Sequence, residues 1–376
     1  MVVDLDLTDD QDLFLETTRK FLTASWPVSA VRNLIDDSTG FDRKVWATGA
    51  ELGWTSMLVP DEHGGGTISG EGVADLAIVA EELGRFVFAG PVLPANVVAY
   101  GLARWGSEDL AKVHLPALAA GTEIAAWATA EADDRWGADG LQMTAAASGG
   151  GYRLEGLKSP VQDAHVADQL LVAARTAGGI TEFLVPADAP GLTITPLRGL
   201  DLARRFAQVR FDGVEVPSSA VVGEVDQAAE AVEKQLALAV ALQCCETVGT
   251  TDRAFEITLA YVKDRKAFGR PIGSYQALKH RLADMLLWLE SSKAAAVAAA
   301  KAVQFDVNGS SAASLAKAYI GDRCPVILRE CLQMHGGIGY TWEHDLHFFM
   351  RRVESNAAIY GTPDYHRDRL AGSVGF

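Results

Sequence analysis

Two segments of the chain combine a polar or cationic side chain with glycines that free the backbone. Residues 261–273 read Tyr-Val-Lys-Asp-Arg-Lys-Ala-Phe-Gly-Arg-Pro-Ile-Gly, and residues 333–340 read Gln-Met-His-Gly-Gly-Ile-Gly-Tyr. Arg265 is permanently charged and forked, which suits a diphosphate better than a lysine would. Gly336 and Gly337 lack a Cβ, so their N–H groups can approach phosphate oxygens closely. The two segments therefore predict a site for a ligand with phosphates and a flat ring system.

Each of these features, taken alone, has a simpler explanation. Arg265 could be a solvated charge that the dipole favours at a helix end, and the glycine pair could be a helix C-cap. His335 lies inside the second segment, where a structural hydrogen bond is the favoured interpretation. His344 and His347 lie one helical step apart, but no carboxylate or cysteine completes a ligand set, so no metal site is expected.

Length and composition limit the number of domains, the partners and the location that can be expected. A chain of 376 residues is too long for one ordinary core, so two or three domains are expected. The net charge of −16 argues against nucleic acids and anionic membranes as partners. The sequence has no apolar run of about 18 residues and no basic start of the kind that signal peptides have, so a cytoplasmic location is expected. Four cysteines without metal-type spacing are expected to be reduced core thiols: Cys244, Cys245, Cys324 and Cys331.

The hydrophobic pattern divides the chain into three domains. Residues 1–121 read as helices broken by turns, starting with a capping box formed by Thr8 and Gln11. Over 122–223 the period falls to near 2, which predicts a compact β domain. Helical spacing returns over 224–376, where long helices predict a bundle. Strands are expected at residues 124–129, 141–147, 152–157, 169–174, 181–185 and 207–216.

The two glycine-containing segments resemble the flavin-binding signature of the acyl-CoA dehydrogenase family, and the resemblance extends over nearly all of the chain. The order of the three domains is also that of the family. The resemblance implies an N-terminal all-α domain, a central β-barrel-like domain and a C-terminal four-helix bundle. In that family two subunits share each flavin, and the bundle forms the core of a tetramer.

The resemblance also implies which residues bind flavin adenine dinucleotide (FAD). Arg265 would meet the pyrophosphate of a neighbouring subunit's FAD, and Phe268 would pack on its adenosine half. Thr129 would contact the flavin ring, and Thr362 would be a further cofactor contact. The remaining residues that match the family's cofactor-binding positions are Gln276, Gln333, Gly336 and Gly337.

The family's reaction removes a proton from Cα of an acyl-CoA thioester and passes hydride from Cβ to the flavin. It needs hydrogen bonds that polarise the thioester carbonyl and a carboxylate base in a dry pocket. Family members place this glutamate at one of two positions, which here are Tyr360 and Ala239. Neither residue can abstract the proton. The arginine that accompanies the second position is replaced by Val240.

The β domain departs from the family as well. Members read Thr-Glu-Pro followed by a serine, whereas here Ala130 and Glu131 follow Thr129 and Arg135 takes the position of the serine. A Trp-Ile-Thr-Asn run near the flavin is replaced by residues 160–163, Pro-Val-Gln-Asp. A flavin held by this subunit's own β domain is therefore in doubt, whereas the anchors that serve a neighbour are retained.

The function that the resemblance implies is flavin-dependent α,β-dehydrogenation of an acyl-CoA thioester, with this chain as the catalytic enzyme or as a partner subunit. Four hypotheses about its role stay open. The chain could be the partner subunit of a heteromeric dehydrogenase, of the kind that acts on sterol side-chain thioesters. It could instead be self-sufficient with a relocated base, for which Glu246 is the leading candidate and Asp364 the second, although a salt bridge is the favoured interpretation of Glu246. It could also be a flavin monooxygenase or oxidase on the same fold, or a ligand-free scaffold. As a dehydrogenase, it would have an acyl-CoA substrate, an electron-transfer flavoprotein as redox partner, and a homo- or heterotetrameric assembly.

Overall fold

A computed structural model describes residues 7–131, 136–373 and 375. Its N-terminal part is helical, as expected from the sequence. The capping box is confirmed: the Gln11 N–H donates to Thr8 Oγ1, and the Thr8 N–H donates to Gln11 Oε1. The helices of this part are α1 (Asp9–Ser25), α2 (Val31–Leu34), α3 (Arg43–Glu51), α4 (Gly72–Arg85), α5 (Val92–Trp105) and α6 (Glu108–Ala119).

The middle part is a twisted sheet that encloses its own core, which confirms the barrel-like β domain. The strands follow the spatial order β6-β7-β3-β2-β4-β5-β8, and β1 pairs in parallel with β4. Leu154, Phe183 and Phe211 are buried between the strands. The strands are β1 (Ala125–Ala128), β2 (Thr144–Ser148), β3 (Gly151–Gln162), β4 (Gln169–Arg175), β5 (Ile180–Pro186), β6 (Leu192–Leu197), β7 (Phe206–Pro217) and β8 (Val221–Val222).

The six strands expected from the sequence are present, and two strands of the sheet were missed, the two-residue β8 and the longer β6. This strand lies at the edge of the sheet, pairs only with β7 and is largely exposed, so it has no apolar run that would reveal it. Pro196 is tolerated there because an edge strand leaves some N–H groups without a ladder partner.

The C-terminal part contains the four-helix bundle, formed by the first four of its helices. The first of these has 36 residues, about 54 Å of helix, and is the longest described element. It ends at Asp264, before Gly269, and a two-residue hairpin follows it. The elements are α7 (Ala229–Asp264), β9 (Lys266–Ala267), β10 (Arg270–Pro271), α8 (Gln276–Gln304), α9 (Gly309–His335), α10 (Leu346–Ala358) and α11 (Pro363–Ser373).

Helices α4 and α7 join the N-terminal part to the bundle at a very close crossing. A Cβ added to Gly84 would lie 2.0 Å from the backbone oxygen of Glu246, and one added to Gly249 would lie 1.9 Å from that of Glu81. Since real Cβ atoms never come so close, both glycines are required for the crossing. The crossing fixes where α7 presents its side chains to the N-terminal helices.

Among the described helices, none is both long and apolar enough to cross a membrane. The same residues contain no cluster of three histidine, cysteine or acidic side chains that could hold a metal ion. All four cysteines are buried and unpaired.

Candidate functional site

The first cationic segment forms a rigid projection at the end of α7. Strands β9 and β10 pair antiparallel, and their turn carries Phe268, whose side chain is 97% exposed. The φ of Phe268 is 52°, a left-handed conformation that a bulky residue adopts only under constraint. Below the hairpin the Tyr275 hydroxyl donates to the backbone oxygen of Ala267 at 3.0 Å. The fold therefore holds a large apolar ring in solvent, and no other described residue covers it.

Arg265 and Gln276 flank this projection and are both exposed. Arg265 is the first residue after α7, and its N–H still donates to the Tyr261 oxygen at 2.8 Å. Gln276 is the first residue of α8. A permanent positive charge and the N-terminus of a helix thus lie at the base of the same hairpin, an arrangement that favours an anion.

The second segment forms the turn between α9 and α10. Gln333, Gly336 and Gly337 are all exposed. Gly336 has φ of 63°, so its own backbone conformation favours glycine. Gly337 has no positive φ, and a Cβ built on it would meet no atom within 4 Å. No packing among residues 7–131, 136–373 and 375 requires a glycine at this position, which leaves close approach by another molecule as a reason for it.

The structure brings the two segments together through one aromatic stack. The rings of Tyr261 and His335 lie 4.3 Å apart and nearly parallel, and the Tyr261 hydroxyl lies 3.4 Å from the His335 backbone oxygen. His335 Nδ1 is 2.8 Å from the backbone oxygen of Cys331. His335 thus has a structural role, and the cationic hairpin and the glycine turn are parts of one surface.

The two positions at which the resemblance predicts a base, Tyr360 and Ala239, carry no group that could act as one. Tyr360 is buried, with its ring 6.0 Å from that of Trp127 and 5.6 Å from that of Trp136. Burial raises the pKa of the Tyr360 hydroxyl, which keeps its proton. Ala239 is fully buried in α7 and offers only a methyl group. The three aromatic rings pack together between β1 and the bundle.

Glu246, the relocated base suggested by the sequence, is held by two arginines. Arg204 Nη2 lies 2.6 Å from both carboxylate oxygens, and Arg352 Nη1 lies 2.7 Å from one of them. Asn356 donates to the other oxygen at 3.0 Å. Arg352 also pairs with Asp201. The ion cluster formed by these five side chains is buried and joins the β6–β7 loop to α7 and α10.

The electrostatics of the ion cluster oppose a role in proton abstraction. Burial alone would raise the pKa of Glu246, but the adjacent charges of Arg204 and Arg352 outweigh it and lower that pKa below its usual value. A general base must instead have a pKa raised toward the working pH. The geometry gives Glu246 the properties of a structural anion.

A cavity next to the ion cluster is far too small for an acyl chain. It lies between α4, α5, α7 and the β domain, has a volume of about 30 Å³, and is lined by Leu83, Leu242, Glu246, Gln162 and Arg204 among others. One water takes up about 30 Å³ of the liquid, whereas ligand pockets measure roughly 300–1,000 Å³. The cavity can hold a water molecule.

The β-domain residues near the expected flavin ring are also occupied by contacts within the chain. Lys158 is fully buried, donates to Glu131 at 2.6 Å and lies 3.2 Å from the backbone oxygen of Thr129. The Thr129 hydroxyl is buried and has no partner among the described residues. Gln162 and Asp163, at the positions of the family's Thr-Asn, are buried.

The other residues singled out in the sequence lie elsewhere. Thr362 is exposed, and its hydroxyl accepts from the Tyr365 N–H at 3.2 Å, so it caps α11. Asp364 is exposed and pairs with Arg367. Arg135 lies outside the described residues. A flavin contact by Thr362 stays a prediction.

Sequence reasoning missed the arginines of the ion cluster. Arg204 is 42 residues from Glu246 and Arg352 is 106 residues from it, so no local spacing relates them. One signal was present: a glutamate within the apolar stripe of α7 needs a buried cation. The sequence could not show which arginine supplied it.

Comparison with known proteins places the whole chain in one family. Models of the N-terminal, middle and C-terminal domains of acyl-CoA dehydrogenases match residues 8–122, 126–214 and 229–375. The acyl-CoA dehydrogenase IpdE2 of Mycolicibacterium smegmatis is 28% identical over 98% of this chain and 100% of its own length.

Two similar solved structures agree. The ChsE4–ChsE5 complex from Mycobacterium tuberculosis is 27% identical with a TM-score of 0.88, over 99% of both chains. A glutaryl-CoA dehydrogenase from Mycobacterium smegmatis in complex with FADH2 is 25% identical with a TM-score of 0.89, over 98% of this chain and 95% of that one. This chain therefore belongs to the acyl-CoA dehydrogenase family of flavin-dependent oxidoreductases.

Proposed function

We propose that this chain is the partner subunit of a heteromeric acyl-CoA dehydrogenase and completes an FAD site whose ring and base belong to the adjoining chain. The observation that carries this proposal is the ion cluster. Glu246, the relocated base suggested by the sequence, is neutralised in this cluster by Arg204 and Arg352.

The reaction makes demands that this chain's own cleft does not meet. The base must be an accessible carboxylate close to Cα of the thioester, in a space that excludes water. When bound, the flavin supplies the acceptor for the hydride from Cβ. Tyr360 and Ala239 offer no base, and the adjacent cavity holds about one water. Proton abstraction is thus assigned to the adjoining chain.

The exposed surface provides what the adjoining chain would need. Arg265 would pair with the FAD pyrophosphate, because a guanidinium binds phosphate oxygens through two parallel N–H groups. Phe268 would lie against the adenosine, and Gly336 and Gly337 would let the backbone N–H groups approach the same diphosphate. Gln276 and Gln333 would donate the flanking hydrogen bonds. These side chains hold and orient the cofactor and transfer no proton.

The substrate class and redox partner follow from the family. The substrate is an acyl-CoA thioester, whose chain or ring system would be bound by the adjoining chain, and electrons would leave through an electron-transfer flavoprotein. One similar structure, the ChsE4–ChsE5 complex, has two named components, which supports a heteromeric assembly.

The test is flavin stoichiometry. The chain is purified alone and from its native host with co-purifying partners, and bound flavin and acyl-CoA desaturation are measured for each. We expect little flavin on the isolated chain and about one flavin per pair of chains in the complex. Full flavin occupancy and turnover by the isolated homomer would refute the proposal.

A pair of variants tests the donated anchor within the complex. Arg265→Met should weaken flavin retention because it removes the cation that meets the pyrophosphate. Arg253→Met is the matched control: Arg253 is an exposed arginine of α7, the helix that precedes Arg265, and it pairs with Glu256 at 2.9 Å. Equal flavin retention by the two variants would contradict the assignment of Arg265.

A further inference from the structure

The turn that carries the glycine pair has few internal contacts of its own. We call residues 336–345 the turn segment. It exposes three apolar side chains, Ile338 (49%), Tyr340 (68%) and Trp342 (50%), so little of it packs into a core. Its own hydrogen bonds are local, such as Thr341 to the backbone oxygen of Ile338. A segment of this kind needs outside contacts to keep one conformation.

Arg32 of the N-terminal part supplies such contacts. Its guanidinium pairs with the Asp345 carboxylate and donates through Nη2 to the backbone oxygen of Trp342 at 2.7 Å. The same guanidinium lies 4.8 Å from the ring centre of Phe348 and 5.9 Å from that of Trp342. One planar side chain, 21% exposed, therefore contacts both a charge and the backbone of the turn segment.

The short helix that carries Arg32 is itself held in place from its other end. Arg205, in the loop between β6 and β7, donates to the backbone oxygens of Leu34 and Ile35 that follow Arg32 by two and three residues. Val31 of the same helix is fully buried. Helix α2 is thus fixed to the β domain on one side and reaches the turn segment on the other.

We propose that Arg32 is a positioning residue for the cofactor site: it holds the turn segment in the conformation in which Gly336 and Gly337 can meet the diphosphate. The proposal rests on the function proposed above and names a residue far from the cofactor-binding motifs in sequence. Arg32 does not touch the cofactor in this arrangement and acts through Asp345 and Trp342.

The contacts explain why an arginine is needed. A lysine has one point charge and cannot pair with Asp345, reach the Trp342 oxygen and lie flat on Phe348 at once. Lysine at position 32 would keep the charge but could not contact the Asp345 carboxylate and the Trp342 backbone oxygen together. A methionine would keep much of the apolar volume and lose both hydrogen bonds.

The test measures FAD binding by the complex purified with its native partners, after the flavin has been removed and titrated back. Arg32→Met should raise the Kd for FAD roughly three- to thirtyfold, the range produced by residues that couple to a ligand indirectly. Arg32→Lys should restore binding only in part. Arg43→Met is the control, since Arg43 is an exposed arginine of the same part of the chain that lies over Phe41.

A double-mutant cycle separates positioning from general loss of stability. If Arg32 acts through Asp345, the variant carrying both Arg32→Met and Asp345→Asn should bind FAD no more weakly than Arg32→Met alone. Additive losses of FAD affinity, or a wild-type Kd in Arg32→Met, would overturn the proposal. If Arg265→Met still loses flavin in that case, only the role of Arg32 fails; if it does not, the proposed function fails too.

Discussion

Replacing Glu246 by glutamine tests the reading of the ion cluster most directly. The carboxylate accepts two hydrogen bonds from Arg204, one from Arg352 and one from Asn356, all between 2.6 and 3.0 Å. Glutamine keeps the shape but removes the charge and turns one acceptor into a donor. Asp201 would then be left as the carboxylate that still pairs directly with Arg352, and Arg204 would lose its paired carboxylate.

The expected loss of stability in Glu246→Gln follows from these lost contacts. Removing one partner of a buried ion pair typically destabilises a protein by about 3–5 kcal/mol, because the other charge is left buried without compensation. Glu354→Gln is the matched control, since Glu354 and Arg329 form an exposed pair whose loss should cost less than about 1 kcal/mol. Unfolding in urea, followed by circular dichroism for both variants, measures the difference.

The pH dependence gives a second readout. The folded-state pKa of Glu246 is lowered by its arginines, so its stabilising contribution is present above the unfolded-state value and is lost as pH falls through the folded-state pKa. The wild type should therefore lose stability in acid more steeply than Glu246→Gln. A glutamine variant that is as stable as the wild type but can no longer reduce flavin with substrate would refute the structural role and identify Glu246 as the base.

Three further predictions concern single positions. Gly337→Ala should leave folding unchanged and weaken flavin retention, whereas Gly84→Ala should destabilise the fold, because its Cβ would lie 2.0 Å from the Glu246 backbone oxygen; thermal unfolding and flavin titration distinguish the two. Burial raises the pKa of the Glu182 carboxyl to about 7. Its contribution to the free energy of unfolding is therefore full below about pH 4.5 and is lost as pH rises through about 7. Glu182→Gln should remove this pH dependence, which amounts to roughly 3 kcal/mol of the free energy of unfolding. Phe268→Ala should not alter the unfolding of the isolated chain but should weaken assembly with the partner, measured by analytical ultracentrifugation; an unchanged association constant would contradict the docking role of this ring.

Much of the fold could be predicted because the period of the hydrophobic residues indicates where helices and strands lie. The change of period near residue 122 marks the start of the β domain, and the apolar stripe of α7 is long enough to be unambiguous. Strand β6 escaped because an exposed edge strand buries few side chains and so has no periodic signal. Element ends shifted by a few residues, as at Asp264, because a helix ends where its hydrogen bonds run out and can do so before the next glycine.

The candidate site could be predicted only in part. Arg265 and Gly337 lie in local motifs, and a motif is visible in sequence. The ion cluster and Arg32 depend on contacts between residues at least 42 positions apart, and such contacts depend on how the domains pack. The sequence indicated that Glu246 needed an explanation; only the packing of α10 against α7 supplied one.

The exposed hairpin tip has a consequence for how the protein must be made in the cell. The rings of Phe268, Tyr340 and Trp342 are exposed apolar surface of the kind that promotes association between proteins. If the chain pairs with a second subunit as proposed, a copy made without that subunit would keep these rings in water and be prone to self-association. Synthesis of the two chains in equal amounts would then prevent the accumulation of unassembled copies.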